Sequence, residues 1–317
     1  MKIFGLLFVL LSSVASFAQH VNFNSQKNWS LNKKELQFGL GATQFNGDLG
    51  GGSTYGIDYS PKDIDWASTG ISGLIGFRYR FHPMLSTSSS LSFFTLKGDD
   101  KYSQESIRNA RNLSFKSGVF EVQQKLELIL FSKEQFSPSY NLPGAANLKN
   151  KNIQAYIFGG IGFCYFNPKA EYNGDWVALR PLKTEGVNYK PFSLTVPAGL
   201  GFRVGISNMW RIGMEVSYVK TFSDYIDDVS TNYISTSQLS SQMAIDLADR
   251  SNGNTGFVPG SQRGDSKQND AYYQKVIDKT YHLGLNNNVE FTAADKTSTV
   301  TAGTIVLVQP PPVRTAY

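Results

Sequence analysis

The chain has 317 residues, a formal net charge of +5 and a mean hydropathy of -0.25. Its lysines and arginines are scattered among acidic residues without a basic run, so we expect no nucleic-acid partner. A single cysteine, Cys164, excludes an internal disulfide framework. After the N-terminus, no apolar stretch approaches the roughly twenty residues of a membrane-spanning helix, which excludes a helical membrane protein.

The N-terminus has the pattern of a secretory signal peptide. Lys2 supplies a positive start, residues 3–11 form a short apolar run, and Ser16-Phe17-Ala18 places small residues where a signal peptidase reads them. We therefore expect residues 1–18 to be removed. Residues 19–34 would then form a short N-terminal segment in the periplasm.

Period-two alternation is the main structural signal of the mature chain. Along residues 192–206, apolar side chains occupy the even positions and small or polar ones the odd positions. Successive side chains of a strand point to opposite faces, so this pattern predicts a long strand with one apolar face. Residues 210–218 repeat it after a very short turn. Trp210 and Tyr218 end its apolar set, where the aromatic girdles of a membrane barrel lie.

The same alternation predicts an all-β fold: a transmembrane, antiparallel, up-and-down β-barrel of about eight strands over residues 35–284. An even number of strands is needed to close a bacterial barrel, so we place the eighth strand near 272–283, although its alternation is poor. The sequence leaves two alternatives for residues 285–317, which are a tail or a segment that contains a closing strand at 299–308. The five remaining strands are predicted at 36–42, 71–81, 91–96, 120–130 and 153–163.

The predicted connections are long at one end of the barrel and mostly short at the other. Membrane barrels have long extracellular loops and short periplasmic turns, whereas a β-sandwich, the alternative fold, does not predict this asymmetry. Only the turn at 132–151 is longer than expected. The predicted loops are 46–70, 98–112, 167–191 and 221–270, and the turns are 82–85, 132–151 and 207–209.

Charged residues of both signs are predicted to face the barrel interior. An eight-stranded barrel is just wide enough for its side chains to fill, and buried charges need partners. We therefore expect an ion-pair network across the lumen rather than the charged constriction of a channel. Its predicted members are Arg78, Arg80, Glu121, Lys125, Glu127, Arg203, Arg211 and Glu215.

Candidate catalytic residues are scarce. His20, His82 and His282 do not assemble a Ser–His–Asp constellation, and Cys164 on a strand is typical of packing. We expect no enzymatic activity, no cofactor and no small-molecule substrate.

Two loop motifs are distinctive. Gly47-Asp48-Leu49 follows the first strand and is typical of a tight exit turn. The segment 220–233 carries Asp224, Tyr225, Asp227 and Asp228. Its carboxylates could bind a divalent cation, but their spacing fits no EF-hand loop. Solvated acids, or ion pairs with a neighbouring loop, are the preferred interpretation, and no metal site is predicted.

These motifs resemble the PorG family, whose members are outer-membrane barrels associated with the type IX secretion apparatus. The resemblance spans the mature chain to about Tyr273, and the Asp-Tyr-Ile-Asp-Asp-Val-Ser segment at 224–230 is its most specific part. The segment 274–317 departs from the family, since it alternates poorly and contains a proline run. The other matching segments are 38–43 with 47–49, 217–233, 247–251, 263–266 and 270–273.

The resemblance implies a barrel in the bacterial outer membrane that contacts outer-membrane lipid and periplasmic ring proteins of the PorK–PorN type. It would aid the assembly or anchoring of the secretion machinery without catalysis. The alternative is a small outer-membrane porin or surface-binding barrel with no secretion role.

Overall fold

The computed structural model describes residues 33–49, 68–103, 106–133, 153–206, 210–251 and 256–283. Several predicted features lie wholly or mostly outside the described residues. They are the signal peptide, the segment 19–34, the loop 46–70, the turns 132–151 and 207–209, and the candidate strand at 299–308.

Eight strands of the described chain form one closed antiparallel barrel, with ring order β1-β2-β3-β4-β5-β7-β8-β9 and back to β1. A ninth strand, β6, pairs only with the loop end of β5. The strands are β1 (Lys34–Asn46), β2 (Gly70–His82), β3 (Leu85–Asp99), β4 (Ser114–Lys133), β5 (Ile153–Tyr172), β6 (Asp175–Ala178), β7 (Phe192–Gly205), β8 (Trp210–Thr221) and β9 (Ala271–His282). The helices are α1 (Ser106–Arg111) and α2 (Gln242–Ala248), with 3-10 turns at Asp100–Tyr102, Arg180–Leu182 and Thr236–Gln238.

The barrel closes between its first and last strands. The β1–β9 register runs from Glu35 opposite His282 to Asn46 opposite Ala271. This confirms the predicted eight-stranded fold and the eighth strand. Its alternation is poor because Lys275 and Lys279 flank Ile277 on the outward face. The Lys279 ammonium lies 4.3 Å from the Trp210 ring centroid, as expected of a lysine that extends along an apolar surface.

The outward face carries an exposed apolar band between two aromatic pairs. Trp210 and Tyr281 are cross-strand neighbours with ring centroids 4.7 Å apart, and Tyr218 and Tyr273 form a second pair at 5.1 Å. The eight steps from Trp210 to Tyr218 cover about 27 Å along a strand. Side chains between these pairs, such as Ile212, are exposed although apolar.

The barrel interior has two layers. The turn-end half is polar, whereas the loop-end half is an apolar core shared by strands and loops. Its largest members from the barrel wall are Phe94, Leu96, Phe115, Phe166 and Tyr272, and those from the loops are Leu49, Leu179, Ile226, Val229 and Leu247.

This apolar layer corrects the expectation of a polar inner face along the whole barrel. The strands β3, β4 and β5 extend beyond the apolar band, and β5 reaches Tyr172, inside the predicted loop 167–191. Their loop ends therefore pack a core beneath the loops. No helix of the described chain is long and apolar enough to cross a membrane.

Candidate functional site

Arg78 lies at the centre of the ionic layer and is 1% exposed. Its Nε is 2.7 Å from Glu127 Oε1, its Nη1 is 3.1 Å from Glu35 Oε2, and its Nη2 is 3.0 Å from Glu215 Oε1. The three carboxylates come from β4, β1 and β8, so one guanidinium links strands on several sides of the barrel.

Three further cations complete the network. Lys125 Nζ is 2.7 Å from Glu215 Oε2, Arg211 Nη1 is 3.0 Å from Glu35 Oε1, and Arg203 Nη1 is 3.3 Å from Glu127 Oε2. All of these side chains are at least nine-tenths buried. The structure therefore brings together six predicted residues: Arg78, Lys125, Glu127, Arg203, Arg211 and Glu215.

Arg80 and Glu121 lie apart from this centre. Arg80 donates to the Pro83 carbonyl at the turn, 2.5 Å away. Glu121 accepts a hydrogen bond from the Thr195 hydroxyl at 2.7 Å and has no ion pair with a described cation, so its predicted pairing is wrong. The reason is distance along β4: Glu121 is six residues, or about 20 Å, from Glu127 and lies level with the apolar layer.

Two further members of the network, Glu35 and Tyr156, are not among the residues predicted from the sequence. Glu35 immediately precedes the first predicted strand, and extending the alternation by one residue would have placed it inside the barrel. Tyr156 donates to Glu215 Oε1 at 2.6 Å, and the Arg203 guanidinium carbon lies 4.4 Å from its ring centroid. Alternation along the predicted strand 153–163 places Tyr156 on the inward face, but no sequence signal links it to the charges.

The loops pack over the barrel as a loop cap, which we define as the described parts of 47–49, 100–113, 179–191 and 222–270. Arg263 holds it together, since its guanidinium is 2.9 Å from Glu185 Oε1 and donates to the Asp228 carbonyl at 2.7 Å. Glu185 also accepts from the Thr231 amide at 2.9 Å. The last loop is thereby fixed to the loop before β7.

Arg111 makes the equivalent link from α1. Its Nε and Nη2 donate to the Asp100 carboxylate at 2.7 and 2.9 Å. It also donates to the carbonyls of Asp48 and Arg263, at 2.7 and 2.5 Å. One buried guanidinium therefore joins three segments of the loop cap.

The Gly47-Asp48-Leu49 motif connects the first loop to the last. Asp48 Oδ2 accepts from the Asp265 amide at 2.8 Å, and the Leu49 amide donates to Asp227 Oδ2 at 3.1 Å. A Cβ at Gly47 would collide with the Asp270 carboxylate, so this close approach requires glycine. The motif is a contact between loops as well as an exit turn.

The acidic motif is buried, which corrects the preferred expectation of solvated acids. Asp228 accepts hydrogen bonds from Thr184 and Tyr189, both at 2.5 Å, and the Tyr225 and Tyr189 rings stack with centroids 4.6 Å apart. Asp224 is 8% exposed, and neither of its carboxylate oxygens accepts a hydrogen bond from a described residue.

Burial changes the protonation of this acidic group. It raises the pKa of Asp224 to about 7, an increase that Asp48 and Glu185 reinforce and the nearby Ser230 hydroxyl opposes. It also raises the pKa of Asp48 and of Asp228 to about 6, against the opposing charge of Arg263 beside Asp228. Among the described residues, no group of three or more His, Cys, Asp or Glu side chains is arranged to hold a metal ion.

We expect the loop cap to be more stable at pH 5 than at pH 8. The pKa of these carboxyls is higher in the folded chain than in the unfolded chain, where it is about 4. Protonation therefore stabilises the fold fully below pH 4, and this contribution is lost as the pH rises through about 7. Hydrogen exchange of residues 222–270, corrected for the intrinsic exchange rate, should show opening that is several-fold more frequent at pH 8. Asp224→Asn should flatten this profile, and the control Asp175→Asn at the exposed start of β6 should not. A profile without pH dependence in the unsubstituted protein would contradict the assignment.

Several solved structures match the chain at very low sequence identity. Neisserial surface protein A matches at 8% identity and a TM-score of 0.36, over 79% of this chain and 97% of that one. The attachment invasion locus protein Ail of Yersinia pestis, in a complex with the heparin analogue sucrose octasulfate, matches at 9% and 0.32, over 79% and 98%. The N-terminal β-barrel domain of Pseudomonas aeruginosa OprF matches at 6% and 0.31, over 79% and 98%. No curated protein matches the chain.

One family model covers most of the sequence. It matches residues 16–242 and is described as a domain of unknown function, DUF6089. The matched range takes in β1 to β8 and the acidic motif of the loop cap. The chain therefore belongs to the DUF6089 family.

Proposed function

We propose that this protein is a non-enzymatic barrel of the bacterial outer membrane that acts as a component of the type IX secretion machinery. It would contact a periplasmic ring of the PorK–PorN type and aid the assembly or anchoring of that ring. The observation that carries the membrane assignment is the exposed apolar band between the Trp210–Tyr281 and Tyr218–Tyr273 pairs.

Contact with lipid explains this band. Many large apolar side chains on the outward face are 40–77% exposed, for example Leu40, Ile71 and Phe93. A soluble barrel would lose stability by presenting such a continuous apolar surface to water, whereas hydrocarbon solvates it. The band runs about 27 Å along a strand, and a strand tilt of roughly 40° reduces this to a height of about 20 Å, near the ~25 Å apolar belt of outer-membrane barrels.

The filled lumen favours a structural role over transport. The side chains of Arg78, Arg203 and Arg211 face the lumen, and each is about 1% exposed or less. An open channel would instead leave lumen-facing side chains in contact with water. Above them the apolar core and the loop cap form a second closed layer. A porin needs a continuous aqueous path, which neither layer provides.

The secretion role is supported by the resemblance to the PorG family. The motifs that carry it, at 47–49 and 224–230, are the segments that join the first loop to the last. They therefore act in holding the loop cap, and a contact with the ring would lie at the opposite, turn end, where the long predicted connection 132–151 begins.

We expect depletion of this chain to remove many secreted proteins from the culture medium and to make them accumulate in the periplasm. The measurement is a quantitative comparison of both fractions with and without depletion. Re-expression of the intact chain should restore secretion, and other outer-membrane proteins should keep their levels. An unchanged set of secreted proteins, with the barrel verified as absent, would contradict the secretion role and leave the fold unaffected.

A further inference from the structure

Three lysines form a row across the outward face of β3, β4 and β5. In the sheet register Lys97 lies opposite Lys116, and Lys116 lies opposite Lys169. Directly opposed residues of antiparallel strands share a face, so the three side chains are neighbours on the outer wall. Like charges in this arrangement repel one another, and a bound anion would relieve that repulsion.

The row lies just beyond the apolar band, on the side of the loops. A parallel row of aromatic side chains lies four positions nearer the turn end on the same three strands. Its members, Phe93, Phe120 and Tyr165, are 40–61% exposed. Four strand residues correspond to about 13 Å. If the aromatic row contacts hydrocarbon, the lysines lie at the level of the lipid headgroups.

A cavity of about 380 Å³ opens beside this row. Four cationic side chains line it against two acidic ones. One of the acids, Asp99, is paired with Lys101 at 2.9 Å, and Arg250 is held in the wall by a 2.8 Å hydrogen bond to the Ser114 hydroxyl. The charged lining residues are Lys97, Lys101, Lys116, Arg250, Asp99 and Glu171.

Two aromatic rings also line the cavity. Trp176 on β6 and Tyr102 are both 49% exposed. The ammonium of Lys116 lies 5.4 Å from the Trp176 ring centroid, and that of Lys101 lies 4.7 Å from the Tyr102 ring centroid. Exposed rings beside ammonium groups offer a stacking surface for a sugar next to contacts for a phosphate.

We propose that this cavity binds the phosphorylated sugar headgroup of a glycolipid in the outer leaflet. Lys97, Lys116 and Arg250 contact the phosphates, and Trp176 packs against a sugar ring. Lysines near a membrane surface attract anionic headgroups, and this attraction is screened by salt. The inference rests on the outer-membrane placement proposed above and goes beyond the secretion role.

The test measures glycolipid binding by the full-length barrel in nanodiscs of neutral phospholipid. The probe is a bisphosphorylated disaccharide lipid, compared with the same lipid after removal of its phosphates. The double variant Lys97→Gln with Lys116→Gln removes the attraction of two lysines for the headgroup, so it should weaken binding about 10- to 30-fold. The control pair, Lys275→Gln with Lys279→Gln, removes the same charge from the outward face of β9 and should change binding by less than about 2-fold.

Three results would overturn the inference. They are equal binding of the dephosphorylated lipid, an equal loss of binding in the two variant pairs, or displacement of the lipid by millimolar inorganic phosphate, which would indicate a free-anion site. Flotation of the barrel with lipid vesicles distinguishes a failure of the headgroup-site proposal from a failure of the proposed membrane placement. A barrel that floats but retains no phosphorylated lipid contradicts only the headgroup site, whereas a barrel that does not float contradicts the membrane placement.

Discussion

Replacing Arg78 with methionine should lower the free energy of unfolding by about 3–5 kcal/mol, the range found when one partner of a buried ionic group is removed. Arg78 contacts Glu35, Glu127 and Glu215 at 2.7–3.1 Å, and all four side chains are almost inaccessible to water. Methionine has a similar volume but leaves these three carboxylates without the one guanidinium that contacts all of them. Urea unfolding of the barrel in lipid vesicles, followed by the shift in gel mobility of the folded form, measures the loss.

A second substitution tests the electrostatic explanation. Adding Glu127→Gln to Arg78→Met removes the charge of the carboxylate that lies 2.7 Å from the lost guanidinium, and we expect it to restore part of the lost stability. The control Arg180→Met, in the loop before β7, should change stability by less than about 0.5 kcal/mol. A loss at Arg78 that Glu127→Gln deepens rather than relieves would show that packing, and not charge balance, dominates in the lumen.

Local alternation was sufficient to predict seven of the eight strands of the barrel wall. Each strand of a lipid-facing barrel must present apolar side chains outward, so segments such as 192–206 reveal their structure without knowledge of their neighbours. The closing strand β9 was the hardest to predict because Lys275 and Lys279 lie on its outward face. Only the need for closure indicated it, and its pairing with β1 confirms that reasoning.

Only some of the contacts between inward-facing side chains could be predicted from the sequence. The inward face follows from alternation, but the height at which a side chain enters the lumen depends on strand tilt and register, which the sequence does not encode locally. Glu121 was therefore grouped with Glu127, which lies about 20 Å away along β4. Glu35 was omitted because the predicted strand began one residue too late.

The loop cap could not be predicted because its contacts join distant parts of the chain. The bond from the Asp265 amide to Asp48 spans 217 residues, and that from Leu49 to Asp227 spans 178. Acidic residues in a loop are usually solvated, and neither spacing nor composition indicates the backbone amides that accommodate these carboxylates. Burial of Asp228 depends on Thr184 and Tyr189, which donate to its carboxylate, and on Arg263, which donates to its carbonyl.

The absence of ion conduction is the second large expected effect. The turn-end half of the lumen is occupied by the network around Arg78 and by Tyr156, which is 2% exposed. The loop-end half is occupied by the apolar core, where an ion would lose its hydration shell without gaining ligands. Two different barriers in series should therefore block the passage of hydrated ions.

Planar-bilayer recording of the purified full-length barrel is the most direct test of the filled lumen. Flotation verifies insertion, and a large porin in the same bilayer serves as the positive control. The account predicts no stepwise conductance above the baseline of the lipid alone, at any voltage at which the bilayer is stable. Reproducible unitary steps that disappear when the barrel is omitted would show an aqueous path through the lumen. They would contradict the filled interior on which the structural role depends.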